Sequence, residues 1–165
     1  SERREGGAGG GPRSEHHGLL DSQAATWAVR CLCTGGLPQR ADDTGNDLIF
    51  GGAGDDTLLG GTGNDDLAAQ SGRDLLDGGA GNDMLRGGEG DDLFVFNGGQ
   101  DTVRNFDDSD DDRIDLRSFS DLDSFADVRD HLSQSGGHVY FRDGTASLKI
   151  EWTSLGSLGA DDFVW

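Results

Sequence analysis

The sequence is short of almost everything from which a conventional enclosed core is built. Proline and cysteine occur only twice each in 165 residues, and aromatic residues make up 7%. So few aromatics leave little apolar surface to set against chain entropy, and a chain of this composition is by default disordered. Cys31 and Cys33 are separated by one residue, a poor spacing for a mutual disulfide. Nearby His16 and His17 do not complete a zinc site with them. No apolar run approaches the roughly 20 residues of a membrane-spanning helix, and the N-terminus lacks the apolar stretch of a secretory signal peptide. The chain also starts at Ser1 rather than Met, as a piece of a longer precursor would.

Positive charge is scarce too. Thirteen Lys and Arg face 32 Asp and Glu, a formal net charge of −19. Nucleic acid and anionic membrane surfaces would be repelled, which leaves cations as the natural partners. What the chain has in excess is glycine, 29 residues, and aspartate, 27 residues against 5 Glu. Short carboxylates set among glycines suit tight turns and ion coordination better than simple solvation.

These residues are periodic. From Asp42 to Arg104 seven nine-residue units follow one another without a gap: 42–50, 51–59, 60–68, 69–77, 78–86, 87–95 and 96–104. Position 4 is always glycine (Gly45, Gly54, Gly63, Gly72, Gly81, Gly90, Gly99). Position 6 is always aspartate (Asp47, Asp56, Asp65, Asp74, Asp83, Asp92, Asp101). Position 8 is always apolar (Ile49, Leu58, Leu67, Leu76, Leu85, Phe94, Val103). Glycines at positions 1, 2 and 4 permit backbone angles that a Cβ forbids, so positions 1–6 are expected to form a turn that directs carbonyl oxygens inward. The aspartate adds a carboxylate beside them, and oxygen ligands of both kinds are what a hard cation such as Ca²⁺ takes. Positions 7–9 are expected to form a short strand with position 8 facing inward. One unit cannot bury that face alone, so the units stack, two to a coil, in parallel sheets about 4.8 Å apart between strands. Units one, three, five and seven then place their turns on one edge, and units two, four and six on the other.

The units resemble the repeats-in-toxin (RTX) calcium-binding nonapeptide, GGxGxDxUx with U apolar. The resemblance implies an all-β fold, a right-handed parallel β-roll, closed by a small mixed C-terminal cap of one helix and a few strands. It implies three to five Ca²⁺ ions, held between neighbouring turns of one edge by the position-6 carboxylates and by the glycine-rich turns. The turn residues concerned are Gly45 and Asn46; Gly51, Ala53 and Asp55; Gly60, Gly61, Thr62, Gly63 and Asn64; Gly78, Gly79, Ala80, Gly81 and Asn82; and Gly87, Gly90 and Asp91. Three units depart from the pattern at positions 1 and 2: Asp42-Asp43, Ala69-Gln70 and Phe96-Asn97. Unit four also carries Arg73 where Asn or Asp is common. The site between units three and five is therefore the safest.

Residues 1–41 read as an unassigned, linker-like segment, with "EGGAGGGP" flexible and "ATWAVRCLC" one short strand or helix. Residues 105–165 read as the cap. The acidic run 107–112 fits no EF-hand, lacking Gly at loop position 6 with Glu at 12, and reads as a solvated turn in which Asp112 or Asp115 is a further calcium candidate. Ser124 is an N-cap before Phe125, Val128 and Leu132 at helical spacing over 124–135. "HVYFRDGTASLKIEW" reads as two strands joined at Asp143-Gly144, and His131 and His138 as surface or interface residues. The terminal "LGADDFVW" resembles the ends of RTX proteins exported by type I secretion, and it would also serve as a last strand covering the open end of the roll.

No HExxH, GxSxG or GxxxxGK pattern occurs, so the chain by itself reads as a calcium-binding module that folds after export to the extracellular space. The alternatives are the C-terminal part of a secreted metalloprotease, lipase or alginate epimerase, or a rigid spacer in a surface protein.

Overall fold

The computed structural model describes residues 28–32 and 38–40 as backbone, and residues 44–107 and 110–165 in full. The linker reading of residues 5–12, together with Cys33, lies outside the described residues. Strands β1 (Ala28–Leu32), β2 (Pro38–Arg40), β3 (Asp47–Ala53), β4 (Thr57–Thr62), β5 (Asp66–Ser71), β6 (Leu75–Ala80), β7 (Met84–Glu89), β8 (Leu93–Val95) and β9 (Gln100–Arg104) alternate between two sheets. The first sheet takes β1, β3, β5, β7 and β9, and the second takes β2, β4, β6 and β8. Every pairing among them is parallel. Leu48 pairs with Asp66, Thr57 with Leu75, and Met84 with Thr102, each partner 18 residues on. Two nonapeptides thus make one coil of a parallel β-roll, as the repeat requires. The stretch around Cys31 is a strand, and the parallel stack begins before the first nonapeptide.

Strand extent departs from expectation. The strands are not confined to positions 7–9; most continue through positions 1–3 of the next unit, and the turn shrinks to positions 4–6. The cause lies in the period-2 burial, which reads buried, intermediate, buried from position 6 through position 8 to position 1 of the following unit. Along β5 and its flank, Asp65, Leu67 and Ala69 all point inward. The interior is consequently a narrow apolar column of Ile49, Leu58, Leu67, Leu76, Leu85, Phe94 and Val103, each 1% exposed or less, with a carboxylate row along each edge.

The position-1 glycines therefore serve a purpose other than backbone freedom. Gly51, Gly60, Gly78 and Gly87 have no positive φ, whereas Gly61, Gly79 and Gly88 at position 2 do. Position 1 faces the interior, and there it is volume that glycine saves. Ala69 and Phe96 also occupy this position, both fully buried. Gln70, the non-glycine at position 2 of unit four, adopts φ 88° and carries the backbone strain itself.

Beyond the repeats, β10 (Arg113–Asp115) continues the second sheet by pairing in parallel with β8, and β14 (Phe163–Val164) pairs with β10 at its edge. The first sheet is extended by β13 (Ala146–Ile150), parallel to β9, and then by antiparallel β12 (His138–Asp143) and β11 (Leu132–Ser135). The hairpin at Asp143-Gly144 is present, with Gly144 at φ 57°. Helix α1 (Phe125–His131) has the expected cap, the Asp127 N–H donating to Ser124 Oγ at 3.4 Å, and it buries Val128. It stops before Leu132, whose extended backbone starts β11, so the helical reading of 132–135 is corrected to a strand. Phe96, Phe119 and Phe141 pack with centroids 5.2–6.0 Å apart and seal the roll against the cap, and His131 stacks on Phe141.

Candidate metal centre

An aspartate at position 6 starts inside the strand's inward face, so its carboxylate is carried into the roll instead of into water. All seven are 2–3% exposed. On the odd edge the Asp47 N–H donates to Asp65 Oδ1 (2.7 Å), Asp65 N–H to Asp83 Oδ1 (2.8 Å) and Asp83 N–H to Asp101 Oδ1 (2.9 Å). On the even edge the Asp56 N–H donates to Asp74 Oδ1 (2.7 Å) and Asp74 N–H to Asp92 Oδ1 (3.0 Å). The carboxylates of Asp65, Asp74, Asp83, Asp92 and Asp101 thus each tie their coil to the preceding one with one oxygen. The second oxygen of Asp74, Asp83 and Asp92 is buried without a hydrogen-bond partner.

Burial penalises the ionised form of these groups. It pushes Asp83 up to about 6 and Asp92 and Asp101 up to about 7, and raises Asp74 as well. Backbone N–H donors pull the other way, and neighbouring aspartates of the same edge push further up.

Glycine makes room for these oxygens. A Cβ on Gly60 would lie 2.5 Å from the Gly78 carbonyl oxygen and nearer still to Asp65 Oδ2. A Cβ on Gly51 would lie 2.8 Å from the Ala69 carbonyl oxygen and 3.0 Å from Asp56 Oδ2. At both places a carboxylate of one coil and a carbonyl of the next share the space a side chain would fill. These are the position-1 residues of units three and five, and of units two and four, on the strands that lead into the turns. Among the described residues no three Asp, Glu, His or Cys side chains form a metal-holding group. A cation here would accordingly draw on main-chain carbonyls as much as on carboxylates. An all-oxygen donor set of that kind, including orphaned buried carboxylate oxygens, fits Ca²⁺ and does not suit softer metals.

The remaining sequence candidates fall into two groups. Asn46, Asn64 and Asn82 form an amide ladder beside the odd-edge carboxylates, which Gln100 continues through its backbone N–H. Ala53, Thr62, Ala80 and Asp91 are exposed at the turn surface, and Asp91 lines the even-edge groove with Asp56, Asp74 and Asp92. Between the unit-five turn (Gly79, Ala80, Gly81) and the unit-seven turn (Asn97, Gly98, Gly99) lies a recess of about 340 Å³.

The family model of the RTX calcium-binding nonapeptide repeat (4 copies) matches residues 41–67 and 69–103. The AlgE6R3 subunit of the Azotobacter vinelandii mannuronan C5-epimerase is 32% identical, over 81% of this chain and 86% of that one, with a TM-score of 0.59. The chain belongs to the RTX calcium-binding nonapeptide repeat family. The AlgE6R2 subunit of the same epimerase is 26% identical over 79% of this RTX chain and 90% of its own, with a TM-score of 0.56. Extracellular lipase LipA of Serratia marcescens shares the fold at 21% identity and a TM-score of 0.55; 86% of this chain aligns, spanning 20% of the lipase. No curated protein matches the chain.

The RTX columns end in two different ways. On the even edge the Asp92 N–H donates to Asp112 Oδ1 (2.8 Å), so Asp112 occupies the next position-6 place although it stands 20 residues on instead of 18. Its Oδ2 accepts the Asp107 N–H at 2.9 Å. Both oxygens are thereby satisfied by backbone donors, and Asp112 closes the column without exposing an orphan oxygen. Asp115 is held by the Arg117 guanidinium, which keeps its carboxyl below the usual range. On the odd edge the place opposite Asp101 is taken by buried Leu148. Sequence spacing could not find Asp112's place, because two extra residues break the nine-residue count.

Proposed function

We propose that this chain is the calcium-dependent folding module of a larger exported protein. Seven nonapeptides over 42–104 form the ion-binding stack, and 105–165 form its cap. The carrying observation is the pair of buried carboxylate columns whose second oxygens, at Asp74, Asp83 and Asp92, lack a donor. Two carboxylates about 5 Å apart repel by roughly 3 kcal/mol at an effective dielectric of about 20. Repeated along two edges, that repulsion outweighs a thin apolar column, so cation binding becomes folding energy.

Position-6 aspartates and the carbonyls of the glycine-rich turns would hold the ions, three between odd-edge turns and two between even-edge turns when every pair is competent. Sites of extracellular modules commonly fill at about 10⁻⁴–10⁻³ M calcium. Inside a cell the chain would stay unfolded and pass a type I exporter; outside it would fold. The extracellular lipase and the epimerase subunits support a parent whose own activity resides in other domains.

Isothermal titration with Ca²⁺ and with Mg²⁺, followed by circular dichroism, tests the proposal. Ca²⁺ is expected to induce the β-structure and Mg²⁺ not. Asp83→Asn, which keeps the acceptor for Asp65 N–H but removes the charge, is expected to lower the stoichiometry by one ion. Full β-structure in chelator, or an unchanged stoichiometry in the variant, would refute it.

A further inference from the structure

Beside each carboxylate column runs a row of position-5 residues, and the two edges fill it differently. The odd edge carries only neutral side chains: Asn46, Asn64, Asn82 and Gln100. The even edge reads Asp55, Arg73, Asp91. The Arg73 N–H donates to Asp55 Oδ1 at 2.9 Å, and Arg73 Nε lies 3.9 Å from Asp91 Oδ2. The first of these contacts comes from the backbone and places Arg73 beside Asp55, while the charged group itself faces the Asp91 carboxylate of the coil after it. It lines the same groove of about 580 Å³ as Asp56, Asp74 and Asp92.

We propose that Arg73 is a tethered counter-cation that holds the even edge together while that edge is free of metal, making the two edges unequal in their need for calcium. The assignment rests on reading the turns as calcium sites. Charge balance sets its direction. In the metal-free coil six carboxylates (Asp55, Asp56, Asp74, Asp91, Asp92 and Asp111) face three guanidinium groups across the groove, Arg73, Arg113 and Arg117, the last already engaged by Asp115. Two divalent ions at the even-edge turns would cancel four of those six charges, and the other guanidinium groups match the two that remain, leaving little for Arg73 to attract. Arg73 accordingly stabilises the metal-free coil and contributes little to the calcium-loaded one. Its side chain is 71% exposed, so the effect is screened by salt.

The test compares the full chain with Arg73→Asn, which installs the odd-edge residue type, and Arg73→Lys, which keeps the charge. Metal-stripped protein is driven into its compact form with trimethylamine N-oxide, and the folding midpoint is read by circular dichroism. At low ionic strength Arg73→Asn is expected to lower the metal-free folded population about two- to fivefold, while the melting temperature in saturating calcium stays the same. Arg73→Lys is expected to restore the metal-free midpoint, and the difference is expected to shrink in about 0.5 M NaCl. Equal losses in both states, or a lysine variant that behaves like asparagine, would overturn the assignment alone. A parent chain equally folded with and without calcium would defeat the calcium reading and this assignment with it.

Discussion

Whether a residue fits at position 1 is decided by what its Cβ would meet. At Gly78 an added Cβ would lie 2.6 Å from Asp83 Cβ and Cγ and nearer still to Oδ2, so the carboxylate itself must move. At Gly51 the nearest atoms are 2.8 and 3.0 Å away, and one of them is again a carboxylate oxygen. Position 1 in unit four is already Ala69, fully buried, which shows that the roll can host a methyl group there where the neighbours permit. Neither glycine has a positive φ, so the cost of substitution is one of space and not of backbone strain. Gly78→Ala is therefore expected to destabilise the calcium-loaded protein by about 1–3 kcal/mol, the range of overpacked interiors. Gly51→Ala is expected to lose less. Melting temperatures in saturating calcium rank the two, and the reverse order would contradict the crowding argument. The same comparison separates position 1 from position 4, where the Gly72 Cβ would meet the Gly54 carbonyl carbon at 2.5 Å and φ is 139°. There a side chain is opposed on both counts.

At the scale of the strand, alternation is the controlling fact. Leu75 and Leu76 are adjacent in β6, yet Leu76 is wholly buried in the central column and Leu75 sits half-covered on the outer face. Leu76→Ala is expected to cost about 2–5 kcal/mol and Leu75→Ala clearly less, read as shifts in chemical-denaturation midpoint with calcium present. This alternation explains what the sequence could and could not reveal. The columns at positions 4, 6 and 8 were legible because one physical constraint acts on each of them in every coil. Strand length was not, since a Gly-Gly pair looks like a turn when its inward-facing role is unseen. Ala69 and Phe96 look like defects in the motif for the same reason, whereas Ala69 is an ordinary inward residue of β5 and Phe96 keeps the inward register just past the end of β8. At the candidate site the aspartates and the Asn ladder were legible from spacing. The closures were not, because Asp112 enters its column after a two-residue insertion and Leu148 reaches its place from 47 residues beyond Asp101. Pairings of that kind are made by the cap's tertiary structure and leave no period to read.

For the whole molecule, proton and calcium compete for the same oxygens, and their effects on stability have opposite dependence on pH. The carboxyls of Asp83 and Asp112 are raised to about 6 and those of Asp92 and Asp101 to about 7, desolvation being the main cause in each. In the unfolded chain these groups return to the ordinary value of 3.8. Between those limits the folded state binds more protons than the unfolded one, so stability falls as pH rises. The metal-free coil should then be at its most stable near pH 4 and lose that advantage as pH climbs through 6 to 7. Self-repulsion of a chain with net charge −19 acts in the same direction. Calcium reverses the trend, because its ligands must be deprotonated and binding releases protons. Metal-stripped protein is expected to show more β-structure by circular dichroism at about pH 5 than at about pH 8. The calcium affinity of the compact coil, titrated in trimethylamine N-oxide, is expected to fall as pH falls across the same interval. Metal-stripped protein equally unfolded at both ends of the range would mean that the carboxylate columns do not hold protons in the folded coil. An affinity of the compact coil that stayed constant with pH would mean that they are not the groups calcium engages.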